Sequence, residues 1–226
     1  MKKIPIKAFL FDIGSTLVFG PDISPSKRIS EILFNDDQKK DSIAQVIMKN
    51  DFPGPEHVVD YLKQIYQISS KQSQEIKELW LEQEVSAKEI DGASHILSAL
   101  KYKGYKLGVI SDIWKPYYTS FCESLAGVLK MLDCQALSFR EGVKKPSHEF
   151  FLRAAKELDT NPQETVVVGD TYHKDIKPAI ELNFQTVWYL SRPEREGEAL
   201  REVIMDVSAK PSEVITDLKQ LLEWIS

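Results

Sequence analysis

The sequence contains little cysteine and no long apolar stretch. Its 226 residues include two cysteines, Cys122 and Cys134, whose spacing matches no metal-binding or redox motif. We therefore expect reduced thiols rather than a disulfide framework. The apolar run at residues 8–11 follows a basic start, but Asp12 ends it too early for a secretion signal. No run approaches the roughly 20 apolar residues that span a bilayer, so we expect a cytoplasmic location and no membrane partner.

The chain also lacks an excess of basic residues. Its formal net charge is -5, because 34 acidic residues outnumber 29 basic ones. We therefore expect no nucleic-acid partner, since no general positive field is present to pair with phosphates. Hydrophobic residues make up 42% of the chain, an ordinary share for a globular protein that can bury one core with an inserted lobe.

Short, dense apolar runs indicate strands that are buried on both faces, as in a parallel sheet. There are six such runs: residues 7–11, 107–110, 134–138, 165–168, 186–190 and, more weakly, 213–215. Helical apolar stripes lie between them, for example at Ile96, Leu97 and Leu100. This alternation predicts an α/β fold with a Rossmann-like, doubly wound parallel sheet, which binds its ligand beyond the carboxyl ends of the strands.

One region breaks this alternation. Residues 21–90 show helical stripes, such as Ile76, Leu79 and Trp80, and no convincing strand. Turn-forming segments, such as residues 51–55, separate the stripes. We expect an α-helical cap domain at residues 19–91, inserted into a Rossmann-like core of residues 1–18 and 92–226. The alternative is one continuous mixed domain.

Polar residues follow several of the predicted strands. Asp12 comes directly after the first strand, and Ser111 and Asp112 come after the second. An aspartate at such a strand end can act as a nucleophile or a metal ligand, although many aspartates there form turns or helix caps. A hydroxyl beside the N–H groups of a helix start can bind phosphate, or it can simply cap the helix.

Two further patterns supply a cation and a pair of acids. Lys144 and Lys145 stand before a proline, and either lysine can place its charge against an anion or remain on the surface. Asp170 and Asp175 come after another strand. Asp170 directly follows Gly169, and Asp175 lies five residues further on. Two carboxylates with this spacing suit a hard cation that prefers oxygen ligands, and the glycine permits close approach.

In their order and placement these patterns resemble the haloacid dehalogenase-like hydrolase superfamily over nearly the whole chain. That superfamily combines D-x-D-x-T, a Ser or Thr, a Lys and a G-D-x-x-x-x-D segment, here with a cap inserted after the first motif. The resemblance implies a Mg²⁺-dependent hydrolase in which Asp12 forms an aspartyl-phosphate intermediate. It assigns catalytic roles to Asp12, Ser111 and Lys145, phosphate binding to Ser111, Asp112 and Lys145, and Mg²⁺ binding to Asp12, Gly14, Asp170 and Asp175.

One position departs from the superfamily's pattern. Gly14 stands where the second aspartate of D-x-D-x-T belongs, although its backbone carbonyl can still bind Mg²⁺. In most phosphatases of the superfamily that aspartate is the general acid and base, and such help is worth roughly 10²–10⁴ in rate. Asp112 and His173 are candidate replacements by position alone.

The missing aspartate leaves three functions open. The one we expect is a phosphatase for a small phosphorylated metabolite, which uses another proton donor or leaving groups that need none. The second is phosphonate or carbon–halogen hydrolysis on the same scaffold, where phosphonate cleavage would need a cap lysine such as Lys27, Lys49 or Lys63. The third is a non-catalytic binding or regulatory protein that retains the fold. Neither substrate identity nor oligomeric state has a recognisable signal in the sequence.

Overall fold

A parallel sheet with helices on both faces is the central element of the structure. The computed structural model describes residues 4–224, so residues 1–3 and 225–226 of the predicted core lie outside the described part of the chain. The strands are β1 (Ala8–Phe11), β2 (Val18–Phe19), β3 (Lys88–Glu89), β4 (Lys106–Ser111), β5 (Cys134–Leu137), β6 (Thr165–Gly169), β7 (Gln185–Tyr189) and β8 (Glu213–Ile215). The helices are α1 (Pro25–Phe34), α2 (Lys40–Ile47), α3 (Pro55–Ile65), α4 (Ser70–Gln83), α5 (Ala93–Tyr102), α6 (Lys115–Ser124), α7 (Ser138–Glu141), α8 (His148–Glu157), α9 (Lys177–Glu181), α10 (Gly197–Met205) and α11 (Gln220–Trp224).

Six strands form the main sheet, in the order β5-β4-β1-β6-β7-β8, and each neighbouring pair is parallel. The central strand is β1, where Phe11 lies opposite Val109 of β4 and Val168 of β6. The carboxyl ends of these three strands therefore meet at one edge. The predicted α/β fold with a Rossmann-like, doubly wound parallel sheet is confirmed, and all six predicted strands are present.

The side chains of alternate residues of β1 lie on opposite faces of the sheet. Phe9 and Phe11 pack into one apolar cluster with residues of α5 and α6, whereas Ala8 and Leu10 pack into another with residues of α8. All four side chains are completely buried. Because helices cover both faces, the sheet is a rigid support for the polar residues that follow its strands.

Helices α1–α4 form a packed group of their own, which we call the helical insertion. Their apolar residues, among them Ile29, Leu62 and Trp80, make a separate cluster. Trp114, which comes from the segment after β4, also belongs to this cluster, and its ring centroid lies 5.5 Å from that of Trp80. The division into a core of residues 1–18 and 92–226 and a cap of residues 19–91 stays a prediction.

Two short strands lie where the chain enters and leaves the helical insertion. β2 and β3 pair antiparallel, with Val18 opposite Glu89 and Phe19 opposite Lys88. The prediction that residues 21–90 contain no strand is therefore wrong at β3. Both of its residues are exposed and polar, so no apolar alternation marks them. The strand exists because the backbone of β2 is available for pairing.

The helices of the structure are short. The longest, α4, has 14 residues, whereas a span of the bilayer takes about 20. Among residues 4–224, no helix has both the length and the apolar character needed to cross a membrane.

Candidate active site

Asp12 lies directly after the central strand β1. Its backbone N–H donates to the carbonyl of Val168 at 2.9 Å, which continues the pairing of β1 with β6. A tight turn follows, in which the N–H groups of Leu17 and Val18 donate to the carbonyl of Ile13 at 2.9 and 3.0 Å. This arrangement leaves the buried Asp12 carboxylate on the wall of a cavity beyond the sheet.

Lys145 lies at the centre of a buried network of charges. Its Nζ is 2.5 Å from Asp12 Oδ1 and 2.6 Å from Asp175 Oδ1, and it donates to the carbonyl of Ile110 at 3.3 Å. Burial alone would lower the pKa of Lys145, but the carboxylates of Asp12 and Asp175 outweigh burial and raise it. Lys145 therefore stays charged. Of the two adjacent lysines in the sequence, it is Lys145 rather than Lys144 that lines the cavity.

Ser111 and Asp112 approach the same carboxylate from the end of β4. The Ser111 hydroxyl donates to Asp12 Oδ1 at 3.1 Å. Asp112 Oδ1 accepts the backbone N–H of Lys145 at 2.8 Å, so this side chain holds the lysine segment in place. The other oxygen of Asp112 is buried and has no hydrogen-bond partner among the described residues. Both residues line the cavity, where a ligand can contact them.

An unusual turn after β6 brings Asp170 and Asp175 together. Residues Tyr172–Ile176 form a π-helical turn, a rare geometry that is frequent at functional sites. The backbone N–H of Thr171 donates to Asp175 Oδ2 at 2.9 Å. A Cβ atom at Gly169 would lie 2.5 Å from the Cβ of Asp175, so the close approach requires a glycine at this position.

The same turn places His173 away from the cavity. Its imidazole is 48% exposed and lies 3.8 Å from Glu202. His173 is not among the described residues that line the cavity. His173 is therefore not placed to replace the missing acid, because the π-helical turn buries Asp175 and leaves His173 exposed. Asp112, the other candidate, does line the cavity.

Arg192, which the sequence analysis did not single out, also reaches this cluster. Its guanidinium forms an ion pair with Asp170, with Nε 3.1 Å from Oδ2 and Nη2 in contact with the same oxygen. Burial raises the pKa of Asp170 and the charge of Asp12 adds to this rise, whereas Arg192 opposes it. Arg192 comes shortly after β7, so the strand-end rule that selected Asp12 would have found it too.

Negative charge exceeds positive charge in this cluster. Asp12, Asp170 and Asp175 each offer a carboxylate oxygen, and these atoms all lie within 4.8 Å of one another. Three carboxylates thus face two cations, Lys145 and Arg192. Burial raises the pKa of Asp175 and Lys145 opposes this rise, whereas the charges of Asp12 and Asp170 add to it, with a net pKa of about 7. A divalent cation would offset the excess charge and find the hard oxygen ligands it prefers, so the residues present fit Mg²⁺.

A cavity of about 260 Å³ opens over the cluster, with walls from the sheet edge and from the helical insertion. Gln83 of α4 lies on its wall and is almost fully buried. Its Oε1 accepts the indole N–H of Trp114 at 3.2 Å, whereas its Nε2 has no partner among residues 4–224. Tyr117 of α6 forms another part of the wall. Residues of the insertion and of the core therefore both form the wall of the cavity.

The structure brings every site residue predicted from the sequence to this cavity, although their chemical roles stay predictions. They are Asp12, Gly14, Ser111, Asp112, Lys145, Asp170 and Asp175. Sequence reasoning missed the contributions of Arg192, Tyr117 and Gln83. No motif marks Tyr117 or Gln83, because they reach the cavity only through the packing of the insertion against the core.

Comparison with known proteins identifies relatives over part of the chain. The glyceraldehyde 3-phosphate phosphatase of Pyrococcus furiosus is 30% identical over 141 residues, which cover 60% of this chain and 54% of the relative. The chain thus spans about half the length of the curated relatives it matches. The glyceraldehyde 3-phosphate phosphatase of Methanocaldococcus jannaschii is 36% identical over 107 residues, 45% of this chain and 44% of the relative.

Solved structures show the same fold at low sequence identity. A haloacid dehalogenase-type phosphatase from Thermococcus onnurineus superposes with a TM-score of 0.63 at 18% identity, and the match covers 98% of both chains. The sequence profile of the haloacid dehalogenase-like hydrolases matches residues 28–189, well over half of the chain. On this evidence the chain belongs to the haloacid dehalogenase-like hydrolase family.

Proposed function

We propose that the chain is a phosphatase that transfers the phosphoryl group of a small metabolite first to Asp12 and then to water. The observation that carries this proposal is the setting of the Asp12 carboxylate. Its Oδ1 is held by Lys145 Nζ at 2.5 Å and by the Ser111 hydroxyl at 3.1 Å, on the wall of the cavity. A carboxylate fixed in this way is prepared for attack on a phosphorus atom that enters the cavity.

The neighbours of Asp12 supply what phosphoryl transfer needs. The reaction depends on positioning and on neutralising the phosphoryl oxygens rather than on covalent help from many groups. Lys145 provides a buried positive charge, and the Ser111 hydroxyl can turn from Asp12 to a phosphoryl oxygen. Asp112 keeps the lysine in place through the backbone N–H of Lys145.

We propose Mg²⁺ as the cofactor, held by Asp12, Asp170 and the backbone carbonyl of Gly14. The mutual distances of the carboxylates and the excess of negative charge support this assignment. Asp175 accepts hydrogen bonds from Lys145 Nζ at 2.6 Å and from the fixed backbone N–H of Thr171 at 2.9 Å. By contrast, one oxygen each of Asp170 and Asp12 accepts, among the described residues, only a long hydrogen bond from a hydroxyl that can rotate, at 3.3 and 3.4 Å. We therefore assign Asp175 to positioning the lysine. When bound, Mg²⁺ neutralises charge on the phosphoryl oxygens during transfer.

We propose a three-carbon phosphate, such as glyceraldehyde 3-phosphate, as the substrate class. The curated relatives that match the chain are named glyceraldehyde 3-phosphate phosphatases, and the first matches 60% of it. The cavity of about 260 Å³ suits a small ligand better than a nucleotide or a peptide.

The structure favours this function over phosphonate or carbon–halogen hydrolysis. Phosphonate cleavage would need a desolvated lysine from the helical insertion. Lys27 and Lys63 are 40% and 47% exposed, and no lysine of residues 19–91, Lys49 included, is among the described residues that line the cavity. Carbon–halogen hydrolysis needs no cation, whereas Asp170 and Asp175 are both retained and buried.

A cytoplasmic location is part of the same proposal. Cys122 and Cys134 are free thiols, which supports a reducing compartment. The expected partner is the small phosphorylated substrate, with no nucleic acid and no membrane.

A screen of phosphorylated metabolites with Mg²⁺ tests the proposal. We expect hydrolysis of glyceraldehyde 3-phosphate or a similar small ester, with loss of activity when EDTA removes the metal. Asp12→Asn should lower kcat by at least about 10³-fold, because it removes the nucleophile. Protein quenched in acid during turnover should carry phosphate on Asp12, and the variant should carry none.

Asp133→Asn provides the matched control. Asp133 precedes β5 at the opposite edge of the sheet and pairs with Lys101, so its substitution should leave turnover unchanged. Full activity of Asp12→Asn would contradict the proposal. Absence of hydrolysis across the panel, together with tight binding of a phosphorylated ligand, would instead support a non-catalytic binding protein.

A further inference from the structure

Tyr117 lies beside the position of the missing second aspartate. The Cε1 atom of its ring would lie 4.0 Å from a Cβ atom at Gly14. A Cβ atom at Gly20 would overlap the phenol oxygen. Gly20 therefore leaves room for the phenol, whereas a Cβ atom at Gly14 would only touch the ring, which lines the cavity.

The hydroxyl of Tyr117 is available to a ligand. No residue in the described range 4–224 forms a hydrogen bond with it. Burial raises the pKa of Tyr117 above its usual value of 10, and the nearby charge of Asp12 adds to the rise. The phenol thus keeps its proton at neutral pH and can donate one hydrogen bond. By contrast, the hydroxyl of the adjacent Tyr118 donates to Gln135 Oε1 at 2.5 Å.

The ring of Tyr117 is held from two sides. It packs against the apolar cluster on the face of the sheet that α5 and α6 cover, and also against the cluster of the helical insertion. Contacts on both sides restrict the rotamers of the side chain. A donor that is already oriented stabilises developing charge better than one that must first reorganise.

We propose that Tyr117 is a catalytic residue that donates a hydrogen bond to the leaving oxygen of the substrate. This inference rests on the proposed phosphatase function and identifies the group that assists departure where Gly14 provides no side chain. The position of the phenol, beside Gly14 and Gly20 on the cavity wall that also carries Asp12, supports it.

In the proposed step Tyr117 donates a hydrogen bond but keeps its proton. Asp12 forms a bond to phosphorus, the bond from phosphorus to the leaving oxygen breaks, and its electron pair stays on that oxygen. The hydrogen bond from Tyr117 stabilises this charge until the departing oxygen takes a proton from water. A second water then attacks the aspartyl phosphate, releases a proton to solvent and regenerates the Asp12 carboxylate with free phosphate.

The benefit of this hydrogen bond depends on the leaving group. An alkoxide concentrates negative charge on the leaving oxygen, whereas 4-nitrophenolate spreads its charge over the ring. A donor at that oxygen is therefore worth more for an alkyl phosphate than for an aryl phosphate. A residue with a purely structural role would affect both substrates equally.

Tyr117→Phe tests the inference, because phenylalanine keeps the packing and removes only the hydroxyl. We expect kcat/KM for glycerol phosphate or glyceraldehyde 3-phosphate to fall about 10- to 100-fold, and that for 4-nitrophenyl phosphate to fall less than about 3-fold. Tyr118→Phe is the matched control and should leave both values unchanged. Gly20→Ala, which would push the phenol oxygen aside, should reproduce the selectivity of Tyr117→Phe.

Two outcomes overturn the inference in different ways. Equal losses on the alkyl and aryl phosphates, or no loss on either, contradict the role of Tyr117 and leave the phosphatase proposal intact. Failure of the parent protein to hydrolyse any phosphate ester contradicts the phosphatase proposal itself.

Discussion

The edge of the sheet and the helical insertion are both tightly packed, but they bury different kinds of residues. At the sheet edge, Asp12, Lys145 and Asp175 are buried charges joined by contacts of 2.5 and 2.6 Å. In the insertion, the buried residues are mostly apolar, such as Leu62 and Trp80, and the charged residues are at the surface. Buried charge costs desolvation free energy, so its presence at the sheet edge points to chemistry rather than to stability.

The two regions have different tasks. The sheet edge carries the proposed nucleophile and the cations, whereas the insertion closes the cavity through residues such as Gln83. Trp114 couples the two, because it follows β4 and yet packs among the residues of the insertion. The stability effect of a substitution at the sheet edge should therefore depend on pH and on bound metal. The stability effect of a substitution in the insertion should depend on the side-chain volume that is lost.

The largest effect is expected from breaking the buried charge network. Lys145→Met leaves Asp12 and Asp175 without their cation and should lower the free energy of unfolding by about 3–5 kcal/mol at pH 8 in the absence of metal. Denaturant unfolding measures this loss. The adjacent Lys144→Met is the matched control, because Lys144 lies outside the network, and its effect should be under about 1 kcal/mol. Equal losses for the two variants would contradict the central role of Lys145.

The stability of the helical insertion should depend on side-chain packing rather than on charge. Leu62 is completely buried in α3, so Leu62→Ala should lower the free energy of unfolding by about 2–4 kcal/mol at every pH. In this variant, amide hydrogen exchange should speed up more in α1–α4 than in β1 and β6. The exposed neighbour Lys63 serves as control, and Lys63→Ala should have little effect. If the stability lost in Leu62→Ala varied strongly with pH, the insertion would not differ from the sheet edge in the proposed way.

A pH effect of intermediate size should appear at the sheet edge alone. The folded-state pKa of Asp175, raised to about 7, lies above the usual 3.8, so its proton is bound more tightly in the folded state. The contribution of this bound proton to the free energy of unfolding is complete below about pH 4 and is lost as the pH rises through 7. Metal-free protein should therefore lose about 2 kcal/mol of stability between pH 5.5 and pH 8.

Mg²⁺ and a neutral variant provide the checks on that pH effect. Mg²⁺ should stabilise the protein more at pH 8 than at pH 5.5, because it binds the ionised carboxylates. Asp175→Asn carries no charge at either pH and should flatten this part of the profile. An unchanged profile in the variant would assign the pH dependence to other groups.

Local patterns were sufficient to predict the sheet and most of the residues at its edge. Strands buried on both faces produce dense apolar runs, and the position directly after such a run identified Asp12 and Asp170. Lys145 could be chosen over Lys144 only through the family resemblance, because both precede the same proline. Each of these patterns spans only a few residues, so it can be recognised in a single sequence.

The errors and omissions have a common physical origin in tertiary packing. His173 was a candidate because it lies between Asp170 and Asp175 in sequence, but the π-helical turn directs it outward. Lys88–Glu89 forms a strand only because β2 lies beside it. Tyr117 reaches the cavity through contacts with both the core and the insertion, and no local pattern encodes such contacts.

The smallest effect is expected from an exposed ion pair between the two regions. Lys115 of α6 lies 2.7 Å from Asp51, which precedes α3, and their side chains are 34% and 47% exposed. A double-mutant cycle with Lys115→Ala and Asp51→Ala should give a coupling of no more than about 1 kcal/mol, which falls when salt is added. The same cycle with Lys145→Met and Asp12→Asn should give a larger coupling that salt barely changes, because that pair is buried. Equal salt sensitivity of the two couplings would show that solvent reaches both pairs alike, and the contrast between sheet edge and insertion would then be lost.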